Sequence, residues 1–293
     1  MTVDDMVKKI TSSLDYGHVS SKIEHFLLES LEGSGKAGYV LGLSGGLDSS
    51  VVAVLAARAL YGRGKGKGKG SLTALIIPHS GITPSSDVND AIRLAESLNI
   101  AYRVIDIGDI HSSLAERLHT IDGGGEDYGN SVDNIKSKIA SGNLLARLRM
   151  CILYHYANAN DRLVLGTSDR SELMIGYYTK YGDGAADILP IADLYKVQVR
   201  ALAGYLQIDD AIIRKRSGPM LWKGHYAEQE LGMSYEEIDS ILYCLLDLKG
   251  SVKDTASMLG VEEERVRRVL RLVRSSRHKR APPRICYIYN KNK

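Results

Sequence analysis

The stretch LGLSGGLDSS, residues 41–50, decides the fold of this chain. The apolar run AGYVLGLS (37–44) leads into it and is typical of a buried parallel strand, which we expect to end at Leu43. A helix is predicted to begin near Asp48, so a serine and two glycines must turn the chain between strand and helix. Glycine lets a backbone approach an anion closely, and the free N–H groups at a helix start attract one. The stretch therefore predicts a phosphate site.

Strands and helices alternate along the rest of the first two thirds of the chain. Further strands are predicted at 72–78, 101–107 and 162–167, and helices at 19–31, 48–60, 87–98 and 131–158. This alternation predicts an α/β fold, a doubly wound and mostly parallel sheet with helices on both faces. Such sheets bind ligands beyond the carboxyl ends of their strands.

Two segments depart from that alternation. GRGKGKGKG (62–70) has nothing to bury and is predicted to be a flexible surface loop. Residues 234–275 contain three successive helical patterns, of which the last two resemble a helix-turn-helix and the last is basic. We expect a single domain over 1–293, with a helical C-terminal part.

Composition excludes several classes of protein. The net charge of +3 over 293 residues is too small to indicate nucleic-acid binding by itself, and no apolar run is long enough to span a membrane. The N-terminus, with early acidic residues, does not resemble a secretory signal. Cys151, Cys244 and Cys286 are widely spaced, which predicts buried free thiols in a reducing cytoplasm.

The glycine loop belongs to neither of the two commonest nucleotide motifs. It lacks the Gly-Lys-Ser/Thr of a Walker A loop and the G-x-G-x-x-G dinucleotide fingerprint. The hydroxyls of Ser44 and Ser49 can donate to phosphate oxygens. Asp48 suits a phosphate site if Mg²⁺ lies between carboxylate and phosphate, although it would also complement the helix dipole without any metal.

Polar blocks further along the chain are candidates for the rest of the site. Arg147 lies one helical turn after Asn143, on the same face. Asp169 and Glu172 have the spacing of a capping box, or Glu172 could be a second magnesium ligand. Lys196 is predicted in the first turn of a helix capped by Asp193, where a cation opposes the dipole. This placement indicates a nearby anion such as a phosphate, although a solvated lysine would also be tolerated there.

A glycine-rich stretch and a basic segment provide further charged groups. Lys180, Asp183 and Asp187 lie among glycines, in what should be a loop able to clamp a substrate. His278 and Lys279, followed by an arginine and two prolines, form an anion-binding segment or an ordinary basic helix end.

The string S-G-G-L-D-S resembles the signature of the ATP pyrophosphatases, which share an adenine nucleotide alpha hydrolase-like fold. With GTSDRSE (166–172), TKYGDGAADI (179–188) and HKR (278–280), the chain resembles the ammonia-dependent NAD synthetase family from about residue 20 to 285. That resemblance implies amidation of deamido-NAD with ammonia and ATP to give NAD, AMP and pyrophosphate, through an NAD-adenylate. It also implies Mg²⁺, a homodimer, and no nucleic-acid or membrane partner.

The resemblance assigns roles to individual residues. Asp48 and Glu172 match magnesium ligands, and Asp48 and Lys196 are the expected catalytic groups. Contacts to ATP are expected from Gly42, Leu43, Ser44, Gly45, Gly46, Leu47, Asp48, Ser49, Thr167, Lys196 and Gly218. Contacts to deamido-NAD are expected from Arg147, Lys180, Asp187, His278 and Lys279.

One segment departs from the family's pattern. Where the family has P-S-A-G-L-W-x-G-Q-T-D-E, this chain reads RSGPMLWKGHYAEQELG (216–232). The position aligned with the family's Ser or Thr contact to ATP is Gly218, next to Ser217. We expect this wall of the ATP site to differ from that of the relatives.

Other functions are compatible with the loop alone. Another ATP pyrophosphatase activity, tRNA thiolation or amidation of a different nucleotide, is one alternative, but thiolation needs reactive cysteines and Cys151 lies in an apolar stretch. A nucleic-acid-binding protein is a second, which Glu262, Glu263 and Glu264 ahead of the arginines disfavour. The resemblance to the synthetase extends over nearly the whole chain and leaves no room for a glutaminase domain. We therefore expect free ammonia rather than glutamine as the nitrogen source.

Overall fold

The structure, a computed structural model, describes residues 1–62, 70–121 and 131–288. The predicted flexible loop at 62–70 lies almost entirely outside these residues, so it stays a prediction. None of the helices in the described ranges combines the length and apolar character of a membrane-spanning segment.

Four parallel strands form the predicted sheet, in the order β3-β2-β1-β4. They are β1 (Gly38–Gly42), β2 (Ser71–Ile76), β3 (Ala101–Val104) and β4 (Arg162–Leu165). The register aligns Gly38 of β1 with Ser71 of β2 and with Arg162 of β4. The chain moves outward from β1 through β2 and β3 and then returns to the other side of β1. A crevice therefore opens at the carboxyl ends of β1 and β4.

Helices cover both faces of the sheet, as predicted. They are α1 (Val3–Ser12), α2 (Tyr16–Ser34), α3 (Leu47–Tyr61), α4 (Ser85–Ser97), α5 (Gly108–Ile121), α6 (Ser131–Ala159), α7 (Arg170–Ile175), α8 (Lys196–Tyr205), α9 (Asp210–Ile213), α10 (Ala227–Leu231), α11 (Tyr235–Leu242), α12 (Val252–Leu259), α13 (Glu263–Ser275) and α14 (Arg277–Arg280). A π-helical turn, Tyr243–Asp247, extends α11. The α1, α5, α9 and α10 helices were not predicted.

Side-chain alternation along β1 supplies two separate apolar layers. Tyr39 and Leu41 point to the face covered by α2, α3 and α8, whereas Val40 points to the face covered by α6. Because α3 lies between the sheet, α2 and α8, it is apolar almost all round rather than on one stripe.

A third apolar cluster joins the C-terminal helices α11 to α13 to α1 and α7. Its buried members include Met6, Ile10, Ile238 and Val266. The α8 helix belongs to two clusters, since Leu202 packs beneath the sheet and Val197 packs against the C-terminal helices. The three C-terminal helices predicted over 234–275 are confirmed.

The prediction of three buried thiols is wrong for two of them. All three cysteines are free, and Cys244 is buried, but Cys151 and Cys286 are exposed. Cys151 follows Met150 on α6, and it is Met150 and Leu153 that face the core. An apolar sequence neighbourhood does not bury a residue on the outer side of an amphipathic helix.

Candidate functional site

The loop between β1 and α3 is held in shape by two serine hydroxyls. The Oγ atoms of Ser44 and Ser49 lie 2.9 Å apart. Ser44 Oγ accepts the Gly46 N–H at 3.2 Å, and Ser49 Oγ accepts the Ser44 N–H at 3.2 Å. Gly46 supplies no side-chain cap to α3, so the start of that helix remains suited to an anion.

Gly45 packs the outer side of the loop directly against α4. Its φ is 75°, and a Cβ there would lie 2.1 Å from the carbonyl oxygen of Asp87. Lys215 fixes the same contact, because its ammonium donates to the Gly45 carbonyl at 2.9 Å and to Asp87 and Asp90 at 2.8 and 2.6 Å. No residue with a side chain fits at Gly45 without moving the loop.

Lys196 lies at the centre of three carboxylates. Its Nζ is 2.8 Å from Asp48 Oδ1, 2.9 Å from Asp169 Oδ2 and 2.9 Å from Glu172 Oε1. The Lys196 side chain is fully buried, whereas those of Asp48 and Glu172 remain about one-fifth exposed toward the crevice. Residues from α3, α7 and α8 thus meet at the carboxyl ends of β1 and β4.

The charges of this cluster shift its pKa values. Burial raises the pKa of Glu172 well above its ordinary value, and the neighbouring Asp169 and Asp48 add to the rise. Burial by itself would lower the pKa of Lys196, but Asp169, Asp48 and Glu172 together hold that pKa well above its ordinary value. Three carboxylates around one ammonium leave an excess of negative charge, which favours an additional cation.

The predicted capping role of Glu172 is confirmed, and its role as a magnesium ligand stays a prediction. Asp169 Oδ1 accepts the Glu172 N–H at 2.8 Å, and Glu172 Oε2 accepts the Asp169 N–H at 3.4 Å. This is the predicted capping box of α7. The other carboxylate oxygen of Glu172, Oε1, contacts Lys196. The cap therefore aims the Glu172 side chain into the site.

A deep cavity brings together most of the predicted ATP contacts. It is lined by Gly42, Leu43, Ser44, Gly46, Leu47, Asp48, Ser49, Thr167 and Gly218, and by Glu172. Two predicted contacts do not line it: Gly45, which packs on Asp87, and Lys196, which is covered by the carboxylates it binds. The cavity is consistent with a nucleotide site whose phosphates meet the loop.

The residues predicted to contact deamido-NAD lie outside that cavity, and four of the five form a group of their own. Arg147 Nε donates to the Lys180 carbonyl at 3.3 Å, and Lys180 Nζ donates to the His278 carbonyl at 2.7 Å. Lys279 Nζ donates to the Tyr178 carbonyl at 2.7 Å. The basic C-terminal segment and α6 therefore hold the glycine-rich loop between them.

Asp187, the fifth of these residues, bonds to the sheet instead. Its Oδ2 accepts the Val164 N–H at 2.7 Å, and its Oδ1 accepts the Tyr154 hydroxyl at 3.2 Å. These bonds tie the end of the glycine-rich loop to β4 and α6.

Comparison with known proteins shows the family of this chain. The family model described as NAD synthase matches residues 19–283. The chain belongs to the NAD synthase family. It is 47% identical to the NH(3)-dependent NAD(+) synthetase of Hyperthermus butylicus over 92% of this chain and 90% of that relative. For the protein of the same name from Aeropyrum pernix, the identity is 45% over 97% of this chain and 91% of that relative.

A solved structure described as the NMN synthetase of Francisella tularensis is also similar. It is 32% identical to this chain, with a TM-score of 0.76. The match covers 94% of this chain and all of that structure. The doubly wound fold of the NAD synthase family is therefore confirmed for this chain.

Sequence reasoning missed Arg149, two residues after Arg147. It lines the cavity and donates from Nε to the Ile77 carbonyl at 3.1 Å. Burial lowers the pKa of Arg149 to about 10, although Asp183 opposes that shift. Its spacing of four from the buried Leu145 and Leu153 was the available signal, because it puts Arg149 on the inward face of α6.

Tyr177 and Lys215 also line the cavity and were missed. Tyr177 donates to Glu230 Oε2 at 2.8 Å, and Lys215 bridges α4 and the loop between β1 and α3. Their partners lie far away in sequence, so no local pattern could indicate these roles.

The segment that departs from the family forms one wall of the cavity. Ser217 and Gly218 both line it, and a Cβ at Gly218 would lie 2.2 Å from the His225 carbonyl oxygen. The His225 ring stacks on Trp222 with centroids 3.4 Å apart and lies 2.7 Å from Glu230. The missing hydroxyl at Gly218 thus has a physical reason, which is the close approach of the His225 backbone.

The predicted cap of α8 is wrong. The residue at the N-cap is Tyr195, which makes no side-chain cap hydrogen bond, and α8 begins at Lys196. Asp193 is fully exposed and lies 3.8 Å from Arg170. The anions that Lys196 contacts are three carboxylates of the protein itself, so its predicted contact to phosphate stays a prediction.

Proposed function

We propose that the crevice amidates the carboxylate of deamido-NAD with ammonia at the expense of ATP, giving NAD, AMP and pyrophosphate. The observation that carries this proposal is the Lys196 cluster beside the loop 43–49, in a chain that belongs to the NAD synthase family. Hydroxide is a poor leaving group, so a carboxylate must be activated before ammonia can displace it. Transfer of AMP to the carboxylate supplies a good leaving group.

The residues of the loop and cluster suit the adenylation step. The nicotinate carboxylate attacks the α-phosphorus, and pyrophosphate leaves toward the start of α3, whose N–H groups stabilise its charge. The Lys196 ammonium adds positive charge close to the phosphates. Ammonia then attacks the acyl-adenylate and releases AMP, with no covalent bond to the protein. Holding the two substrates in line supplies much of the acceleration.

Asp48 and Glu172 fit a bound Mg²⁺. Each is partly exposed at the cavity, and the cluster carries more negative than positive charge. In proteins Mg²⁺ is commonly held by one or two carboxylates together with substrate phosphates. When bound, the ion would neutralise charge that develops on the phosphate oxygens.

The metal assignment is tested with the variant Asp48→Asn. We expect pyrophosphate release to fall by at least about 100-fold while the fold is retained. Binding of Mg²⁺ with ATP, measured by calorimetry, should weaken in parallel. Asp193→Asn is the matched control, since Asp193 is fully exposed and pairs with Arg170 rather than with Lys196. Normal turnover and metal affinity in Asp48→Asn would remove Asp48 from the metal site.

The group around the glycine-rich loop is proposed to bind deamido-NAD. Arg147, Lys180 and Lys279 bring positive charge to the region that also contains His278, which suits a dinucleotide pyrophosphate. Asp187 holds the end of the same loop. Arg147→Ala should raise KM for deamido-NAD much more than KM for ATP, as measured by initial-rate kinetics.

The decisive experiment incubates the protein with deamido-NAD, ATP, Mg²⁺ and ammonium, and measures NAD, AMP and pyrophosphate. Equal amounts of the three products are expected, and glutamine should replace ammonium poorly once contaminating ammonia is removed. Failure to form NAD would overturn the proposal. The similarity to an NMN synthetase favours one second candidate, amidation of the mononucleotide, so its kcat/KM should be measured beside that of the dinucleotide.

We also propose a homodimer formed through α5 and α6. Ile110 on α5 and Ile135 and Ile139 on α6 are exposed, and the two helices pack on each other. Adjacent exposed apolar side chains of this kind favour a protein interface. Ile139→Asp should lower the sedimentation coefficient to that of a monomer. Phe26→Asp, at an exposed apolar residue of α2, is the control and should leave the assembly intact.

The domain organisation and compartment remain proposals. A single domain is supported by α8, whose two faces join the sheet to the C-terminal helices. A cytoplasmic location is supported by the free thiols, since oxidising compartments favour disulfides. A nucleic-acid role is disfavoured by α13, where Arg267 and Arg271 pair with Glu263 and Glu264.

A further inference from the structure

The start of α8 is stabilised from a distance. The first N–H groups of a helix need partners from outside the helix, and neither Tyr195 nor Asp193 provides a side-chain cap. Instead, the Lys196 N–H donates to Ser171 Oγ at 2.9 Å, and the Val197 N–H donates to Asp239 Oδ2 at 2.9 Å. Ser171 and Asp239 are also hydrogen-bonded to each other.

These two residues belong to different helices, and both are completely buried. Ser171 lies on α7 between Asp169 and Glu172, the two carboxylates of that helix that contact Lys196. Asp239 lies on α11. One pair of side chains therefore joins α7, α8 and α11 at the residue that carries the buried ammonium.

A buried carboxyl group is unfavourable unless its hydrogen bonds are satisfied, and here Ser171 and Val197 satisfy the two oxygens of Asp239. Because Asp239 binds the Val197 N–H and Ser171 binds the Lys196 N–H, the pair fixes where the Lys196 side chain starts. Since Lys196 must reach three carboxylates at 2.8 to 2.9 Å, a small shift of that turn would break the arrangement.

We infer that Asp239, acting with Ser171, is a positioning residue for the amidation reaction, because it sets the start of α8 and thereby the place of Lys196. This inference rests on the proposed function only for its kinetic consequence. The structural consequence, ordering of the first turn of α8, can be measured without any substrate.

The test compares Asp239→Ala with Asp239→Asn and Ser171→Ala. Alanine at 239 removes the acceptor for the Val197 N–H, and kcat should fall about 100-fold, because catalysis is that sensitive to misplacement of about 1 Å. KM for ATP should change far less. Asparagine keeps an acceptor oxygen and should retain activity within a few-fold. Ser171→Ala is a smaller change and should show a similar loss in kcat. It takes the place of Asp239→Ala in the test if that variant does not fold.

A double-mutant cycle separates positioning from general stabilisation. If Asp239 acts through Lys196, Asp239→Ala should cost about 100-fold in the wild type but less than about threefold in a Lys196→Met background. A residue that only stabilises the fold would cost the same in both. Ser240→Ala is the control, since Ser240 is the buried neighbour on α11 and its hydroxyl donates to the carbonyls of Val3 and Glu236.

Hydrogen exchange of the peptide that contains residues 196–199 supplies the readout that needs no substrate. Exchange should accelerate in Asp239→Ala and not in Ser240→Ala. Unchanged exchange, or equal losses of kcat in both backgrounds, would overturn the inference. If the wild type forms no NAD, the proposed function fails. The exchange result still decides whether Asp239 orders the first turn of α8.

Discussion

At the scale of single residues, Lys196 shows how a position can be both structural and functional. Its ammonium lies within 2.9 Å of three carboxylates and offsets part of their negative charge. The same charge lies beside the loop 43–49, where phosphates are expected. Lys196 therefore contributes both to the stability of the fold and to the proposed reaction.

Gly218 provides a prediction at the same scale. Replacing it with serine would restore the hydroxyl expected from the relatives, yet we expect Gly218→Ser to raise KM for ATP at least about tenfold. The new Cβ would lie 2.2 Å from the His225 carbonyl oxygen, so the cavity wall must move. Initial-rate kinetics with ATP as the varied substrate measures this effect.

Ser217→Ala is the companion variant, because Ser217 lines the cavity next to Gly218. If Ser217 has taken over the contact to ATP, its loss should weaken binding while the wall stays in place. Improved ATP binding in Gly218→Ser would show that the wall moves easily and that our reason for the glycine is wrong.

At the scale of elements, the basic C-terminal segment serves as the cap of α7. Arg280 donates from Nη1 to the carbonyls of Leu173 and Met174 at 2.8 and 2.6 Å, and Lys279 Nζ donates to the Gly176 carbonyl at 2.7 Å. The last carbonyls of a helix lack partners within it, and a cation beside them also complements the dipole. The helix that carries Glu172 is thus anchored by a segment about a hundred residues away.

Arg280→Ala should therefore destabilise the protein by at least about 2 kcal/mol, since a single hydrogen bond from a charged donor contributes about that much. Urea denaturation measures the change in the free energy of unfolding. Arg277→Ala is the matched control, because Arg277 lies on the same short helix and is exposed. Equal effects of the two variants would show that the segment contributes only net charge.

At the scale of the whole molecule, the buried acids predict how stability depends on pH. Burial raises the pKa of Asp239 to about 8, and the pKa values of Asp169 and Glu172 are also raised. For such acids the folded state holds the proton more tightly than the unfolded state. The contribution of these groups to the free energy of unfolding is therefore present at low pH and is lost as pH rises from about 4 toward 8.

The test compares urea denaturation of the wild type and Asp239→Asn between about pH 5 and about pH 9. The wild type should lose stability across this range more steeply than the variant, which cannot ionise at residue 239. Asp193→Asn should follow the wild type, since Asp193 is exposed. Parallel curves for all three proteins would show that Asp239 does not titrate in this range.

Much of the fold was predictable because the sequence patterns that specify it lie within short stretches of the chain. The four strands follow from apolar runs that end in turns, the phosphate loop from Gly45 and Gly46 between strand and helix, and the capping box from the spacing of Asp169 and Glu172. Each pattern involves residues close together in the chain, where backbone geometry alone fixes which side chains meet.

The sequence by itself thus determined the doubly wound sheet, the glycine turn between β1 and α3, and the capping box of Asp169 and Glu172. The tertiary structure alone decided what completes them: Arg149 on the cavity wall, Lys215 under the loop, and Asp239 rather than Asp193 at the start of α8. The physical reason is that a buried polar group must find a partner, but any element packed nearby can supply it. Which element that is depends on the packing of helices far apart in the chain.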